Sequence, residues 1–453
     1  MRAAIAGLLV PAALLLPAAA GAQAVGPLFP PSIAIANYDR VLVGQEEALE
    51  AGAFVARVGD TSSGWYNPAG MALMTRSAIT ASASGLQADL LSLEGVATQR
   101  GGGMSVYQLP SFFGAVLGRE VIDAERWRIG FTITKPTSWN QEAVGGFVGD
   151  TRLAYSSHVN LAMLVPMFSV SWSPSPALRF GAGIGAAMTS LSGVQSLYEQ
   201  VPAAATANAF LRTLDASGTS WSLTGTLGAQ WDVTRNLVVG AMLRLPGLEI
   251  AQGGRLSYQS VENRGQPWNG TFLVDQDATF HYRLPFDANL GIAWRSRSFE
   301  VEADVRFHSA IPEYALFSTA NPVQVTTTDP ATGLPVYAMQ PFPAVTNGAG
   351  AVWNLAVGGR YNLDEAWSFH GGFYTDGSPT NASGEVIFRS VDMYGVTLGA
   401  KLRGDHLSGS LGLGYSWGSS RPFEFADPVT GTPITSRLTV RSLSLLYAIS
   451  YAF

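Results

Sequence analysis

The stretch that decides the fold is the last one, Leu438 to Phe453, LTVRSLSLLYAISYAF. Counting back by twos from Phe453 gives Tyr451, Ile449, Tyr447, Leu445 and Leu443, while Ala452, Ser450, Ala448, Leu446, Ser444 and Ser442 stand between them. A period of two is that of a β-strand. One face is large and apolar and the other is mostly small, the pattern of a tilted strand that crosses a bilayer in about ten residues. An ordinary edge strand alternates in the same way, so the reading rests on whether the rest of the chain repeats it.

It does. From Ser77 onward the clearest rows include Trp127, Ile129, Phe131, Ile133; Trp221, Leu223, Gly225, Leu227, Ala229, Trp231; Trp353, Leu355, Val357, Gly359, Tyr361; and Leu407 to Trp417. Trp127, Trp221, Trp231, Trp294, Trp353, Tyr361, Trp367, Tyr415 and Trp417 stand at the ends of these rows, where the aromatic girdles of a membrane barrel belong. Connections alternate between short ones, such as Ser173 to Ala177 and Asp232 to Asn236, and long ones: Thr137 to Ser157, Ser192 to Gly218, Ala251 to Asp275, Ser309 to Gly350, Gly377 to Ser390 and Ser419 to Ser436. A soluble β-sandwich has no reason to sort its loops in this way. With Thr279 to Arg295 taken as one strand bent at Pro285, about 14 segments are counted, an even number that returns both ends to one side of the membrane. The expected fold is all-β, a 14-stranded antiparallel transmembrane barrel over residues 77–453, monomeric, in contact with outer-membrane lipid and lipopolysaccharide.

The start of the chain explains how it arrives there. Arg2 precedes an apolar run from Ala3 to Ala20 and the small-residue ending Ala22-Gln23-Ala24, which reads as a secretory signal over residues 1–24. No cysteine occurs in the 453 residues, so disulfides and thiolate metal sites are excluded. Apolar residues make up 47% and charged ones only 13%, against about a quarter charged in soluble domains, and lipid-facing surface accounts for the deficit. A net charge of -6 offers no field for nucleic acid.

Residues 25–76 carry no strand periodicity. Pro27, Pro30 and Pro31 keep the beginning irregular, Gln45 to about Val58 has a helical pattern, and Gly64, Asn67, Pro68 and Gly70 are turn formers. A block of this size without sheet pattern is expected inside or beneath the barrel as a plug, with Asn67 to Gly70 a rigid corner in which Gly70 permits a turn other residues resist.

Signals for chemistry are poor. The histidines His158, His281, His308, His370 and His406 are scattered, no HExxH or GxSxG occurs, and Gly181, Gly183 and Gly185 lie on one strand face with no helix after them, so no catalytic residue, metal site or cofactor is assigned. Glu300, Glu302, Asp304, Arg306 and His308 share the face opposite the apolar row of their strand and form a polar stripe inside the lumen, against the plug or channel water. Lys135-Pro136 interrupts another strand pattern: proline cannot donate to a ladder and marks a strand end, a bulge or a gap.

Gly59 to Met71, GDTSSGWYNPAGM, resembles the hatch motif of the long-chain fatty-acid outer-membrane transporters (FadL/TodX type), in which a D-x-S/T stretch precedes Y-N-P-A-G. Leu284-Pro285 before GIAWR, the strand around Asp304, Leu355 to Pro379 and the ending Tyr451-Ala452-Phe453 extend the likeness over nearly the whole mature chain. The resemblance implies a hatch built on Asn67, Pro68, Ala69 and Gly70, and passive uptake of fatty acids or aromatic or aliphatic hydrocarbons. It also implies capture by extracellular loops and release sideways into the bilayer where the third strand is kinked, here at Lys135-Pro136. It gives the loop Gln195 to Leu214 as a candidate helical lid. A plugged porin for other small solutes and a lipid-active enzyme remain as alternatives.

Overall fold

The computed structural model describes residues 34–94, 104–121, 125–148, 152–201, 208–263, 269–329, 331–382, 384–385, 387–426 and 433–453. The signal segment read at residues 1–24 and the first part of the plug lie outside the described residues. The first seven strands are β1 Ala78–Glu94, β2 Met104–Leu117, β3 Trp127–Val148, β4 Arg152–Ser175, β5 Leu178–Val201, β6 Asn208–Asp232 and β7 Leu237–Arg244. Each pairs antiparallel with the next. From β7 the wall continues through Asp287–Arg295, Phe299–His308, Val352–Asn362, Trp367–Asp376, Val391–Arg403, Leu407–Ser420 and Pro433–Ala452. The last strand then pairs with β1, Ala452 opposite Ala78 and Leu438 opposite Leu93, which closes a 14-stranded ring. No helix among the described residues is long and apolar enough to cross a membrane.

Burial is inverted relative to a soluble protein. Leu443, Tyr447, Ile449, Tyr451 and Phe453 are exposed, whereas Ser442, Leu446 and Ala448 are buried. The same holds round the ring: Leu227 and Trp231 face outward and Thr226 and Gln230 inward, Leu398 outward and Thr397 and Lys401 inward. All nine girdle aromatics lie on the outer surface. Trp353 and Tyr361 bracket the band on one strand, eight residues and about 27 Å of strand apart. At a tilt of about 40° that is a rise of about 21 Å, close to an apolar band of about 25 Å.

The long connections differ from the expectation of irregular loops, for most of their residues are strand. β3 to β6 run 22 to 25 residues, more than twice the roughly 9–11 that cross a bilayer. Thr137 to Ser157 is thus the continuation of β3 and β4. Likewise the described residues of Gln195 to Leu214 form no helical lid: Gln195↔Leu214, Leu197↔Arg212 and Val201↔Asn208 are paired, so β5 and β6 carry the barrel sheet onward. Beyond the ring, Leu248–Asn263 pairs with the far half of β6, Asn269–Phe280 pairs with it in turn, and the hairpin Val323–Thr328 and Pro335–Gln340 adds to the edge. Thr279 to Arg295 is not one bent strand; residues 281–286 leave the sheet and the barrel strand starts at Asp287. Leu284-Pro285 breaks the ladder there, and the count of wall strands is unchanged.

The first and last strands of the barrel meet at the short-turn rim. Phe453 donates its backbone N–H to the Ser77 carbonyl at 2.9 Å, and its own carbonyl accepts from Arg76 Nε at 2.7 Å. Deletion of Phe453 should therefore lower the amount of assembled barrel. A heat-modifiable band at wild-type abundance in membranes of the deletion variant would contradict this closure.

Candidate functional site: an occluded lumen and a cavity beside a kinked strand

Residues 34–76 lie against the inner face of the wall. Two short α-helices occur here, Glu46–Leu49 and Ser63–Tyr66; the helix expected to run from Gln45 to Val58 stops early because Ala51 and Gly52 take positive φ (56° and 73°) and turn the chain. An irregular segment must find partners for its backbone, and the lumenal stripe supplies them. Asp304 accepts from Phe54 N (3.0 Å) and Val55 N (3.3 Å), Glu302 from Ala56 N (2.5 Å), and Arg306 donates to the carbonyl of Gly52 (2.6 Å). Arg57 joins Glu50, Glu302 and Glu300, while Arg360 and Lys401 hold Glu46. Glu302, Asp304, Arg306 and His308 are buried, and Glu300 is largely covered. Glu46, Glu50 and His370 bring ligand atoms within 4.8 Å of one another. Their carboxylates are already neutralised by Arg57, Arg360 and Lys401, so a metal finds little charge to bind there.

The N-P-A-G residues lock this segment to the wall. Asn67 is fully buried, and its side-chain amide shares two protons among the carbonyls of Val55 (2.8 Å), Ala229 (3.0 Å) and Ala241 (3.2 Å). Its Oδ1 accepts from Ala69 N at 3.2 Å, capping a 3-10 helix Pro68–Leu73 with proline in its first turn. The role of Gly70 differs from the one expected: φ is not positive, and a Cβ there would stand 2.2 Å from the Val58 carbonyl oxygen. Close approach, not backbone freedom, requires glycine. On the wall, a Cβ at Gly228 would fall 2.1 Å from Asn67 Oδ1 and one at Gly181 would meet the Pro68 backbone at 2.3 Å.

Lys135-Pro136 sits at a break in the wall. β3 pairs with β2 only from Ile129 to Thr134, opposite Leu117 to Phe112. Beyond Thr134 it pairs with β4 alone, after a slip in which Thr134↔Val165 is followed by Thr137↔Met163. The facing stretch of β2, from Met104 to Pro110, pairs with β1 alone. Pro136 on one edge and Pro110 on the other lack an N–H, so neither edge presents a continuous row of donors to the other. Of the alternatives a proline leaves open, the structure has both a bulge and a gap.

A cavity of about 930 Å³, counted with its open mouth, reaches from the amino-terminal segment to this break. Its apolar wall includes Val41, Leu42, Val55, Trp65, Met163 and Met242, and Pro136 and Thr137 form its outer side. Asp39, Arg244, Asp287, Asn289, Arg306 and His308 form the polar side. Asp39 bridges Arg306 (3.2 Å), His308 (3.2 Å) and Asn354 (2.7 Å). Burial works against its charge, yet Arg306 and His308 outweigh it and hold the carboxyl well below the usual carboxylate range. Arg244 pairs with Asp287 (3.0 Å) and lies 3.8 Å over the Trp65 ring. The sequence reading reached Arg306 and His308 but not Asp39, Arg244, Asp287 or Asn289. A signal existed: Arg244, Asp287 and Asn289 are polar residues on the non-lipid faces of their strands.

The family model for outer membrane protein transport proteins (OMPP1/FadL/TodX) matches residues 34–451. The chain belongs to this family. It is therefore an outer-membrane β-barrel of a transport family for hydrophobic compounds. Among solved structures, a Pseudomonas aeruginosa FadL homologue is similar at 15% identity, TM-score 0.60, over 92% of this chain and 100% of that one. The Pseudomonas putida toluene transporter TodX is similar at 14% identity, TM-score 0.58, over 94% and 100%. The Ralstonia pickettii toluene transporter TbuX follows at 15%, TM-score 0.55, over 91% and 98%. At these identities the structures speak for the fold. No curated protein sequence matches.

Asn67→Ala should leave the barrel assembled while loosening residues 34–76, at a cost of about 1–3 kcal/mol for each carbonyl left unpaired. Limited proteolysis of the purified variant checks this: cleavage within 34–76 should accelerate while the heat-modifiable shift of the barrel stays as in wild type.

Proposed function

We propose that the chain is a passive uptake channel for hydrophobic compounds, in which residues 25–76 act as a hatch and solute leaves sideways into the bilayer beside Lys135-Pro136. The observation that carries this reading is the position of the cavity: Pro136 and Thr137 form its outer wall at the stretch where β3 has lost its ladder to β2. The amino-terminal segment lies across the lumen, held by Asn67, Glu302 and Asp304, which argues against a straight aqueous path. A greasy solute gains by leaving water for the apolar cavity and again by entering the hydrocarbon. A polar solute gains by neither step, so the plugged-porin alternative is weaker. The ring closes within one chain, which supports a monomer. The extended strands beyond the girdles reach the level of lipopolysaccharide, where capture from outside would begin.

Deleting Pro136 tests the route. The deletion removes the extra residue that offsets Thr137 against Met163, so β3 can run straight. Uptake of a hydrophobic solute by cells should fall severalfold at unchanged barrel abundance. Uptake at the wild-type rate would refute sideways release at this place. The enzymatic alternative predicts turnover: the purified protein is expected not to hydrolyse acyl esters, and steady hydrolysis abolished by one Ser or His substitution would decide for an enzyme.

A further inference from the structure

We infer that the cavity takes an uncharged hydrophobic molecule carrying a single hydroxyl or carbonyl group, which the side-chain amide of Asn289 receives, and that it discriminates against the carboxylate of the same chain length. This deepens the transport reading and rests on it. A carboxylate in an apolar cavity needs N–H donors of a cation to replace its water. Arg306 spends its nitrogens on Asp39 (3.2 Å) and on the Gly52 carbonyl (2.6 Å). Arg244 spends its own on Asp287 (3.0 Å) and the Trp65 carbonyl (3.2 Å), and its buried Nε has no acceptor while the guanidinium stacks on the Trp65 ring. Both ring nitrogens of His308 are taken, by Asp287 (2.8 Å) and Asp39 (3.2 Å). Asp39 and Asp287 thus already occupy most of the cationic N–H groups a third carboxylate would use, and only the buried Arg244 Nε, on a guanidinium stacked over the Trp65 ring, is left without an acceptor.

Asn289 is different. It lies on the lumenal face of its strand, between Met242 and Arg306 in register, and lines the cavity at 9% exposure. Its Oδ1 is buried without a hydrogen-bond partner, and its Nδ2 has none among the described residues. An amide offers an acceptor and two donors, and leaving it unpaired in an apolar cavity is costly. A hydroxyl satisfies it in either sense and a carbonyl through Nδ2. Met242 opposite it, and Met163 and Val165 in the same cavity, suit an alkyl or aromatic body. An enclosing, mostly apolar wall with few open polar groups is the design of a selective small-molecule site.

The test compares dodecanol, dodecane and dodecanoate at alkaline pH, by equilibrium dialysis of the radiolabelled compounds against the full protein in maltoside micelles, with empty micelles as the blank. Dodecanol is expected to bind at least about tenfold tighter than dodecanoate. Asn289→Leu should lose several-fold in dodecanol binding and keep dodecane binding. Asp287→Asn, which releases Arg244 and His308, should raise dodecanoate binding, a gain that damage to the fold cannot produce. Dodecanoate bound by the wild type as tightly as dodecanol, or Asn289→Leu weakening both neutral compounds equally, overturns the inference and leaves the transport reading standing. Failure of all three compounds to bind above the blank removes both.

Discussion

Inside hydrocarbon no water is available to a backbone N–H or C=O, and every feature of this chain follows from where that demand is met and where it is not. The ring closes because an open edge would leave a row of such groups facing lipid. Closure is completed by the last residues, whose pairing with Ala78 to Glu94 joins the last wall strand to the first. The apolar rows then face outward because the solvent there is apolar, and the lumen keeps the Ser, Thr, Asn and charged positions that a soluble barrel would turn to water.

The same demand governs the interior. Residues 34–76 are too irregular to satisfy themselves, so carboxylates and amides from the wall take the orphan donors and carbonyls: Asp304 and Glu302 for residues 54–56, Asn67 in the reverse sense for Ala229 and Ala241. Burying so many charges is favourable only where each is paired. The alternation of Glu46, Arg360, Glu300, Arg57 and Glu302 meets that condition. Fixing the segment in this way makes any movement of it expensive, which favours a path around it over a path through it.

The one place where the wall breaks its own rule is the stretch beyond Thr134. Pro110 and Pro136 remove donors from the two facing edges, so the break does not reseal as a ladder, and the cavity behind it is lined with side chains a greasy molecule prefers. The break and the cavity lie together, as the proposed sideways route requires. A gap without a dry space behind it would expose polar lumen to lipid.

The sequence by itself determined the barrel and its strand count, because a period of two with one lipid face is a local pattern that survives without knowledge of any partner. It also marked the lumenal stripe from Glu300 to His308, Asn67 to Gly70 and Lys135-Pro136, since each breaks or opposes a regular local signal. Tertiary structure alone decided what these residues meet. Asn67 reaches carbonyls 162 and 174 residues away, Gly70 is required by the Val58 carbonyl and not by its own φ, and the cavity joins Asp39 to Arg244, Asn289 and Pro136 from four separated segments. The long connections were misread as loops for a related reason: outside the membrane both strand faces are wetted or covered unevenly, so the alternation fades although the backbone pairing continues. Pairing between distant strands leaves no period in one strand, and that is why the wall was legible and the site was not.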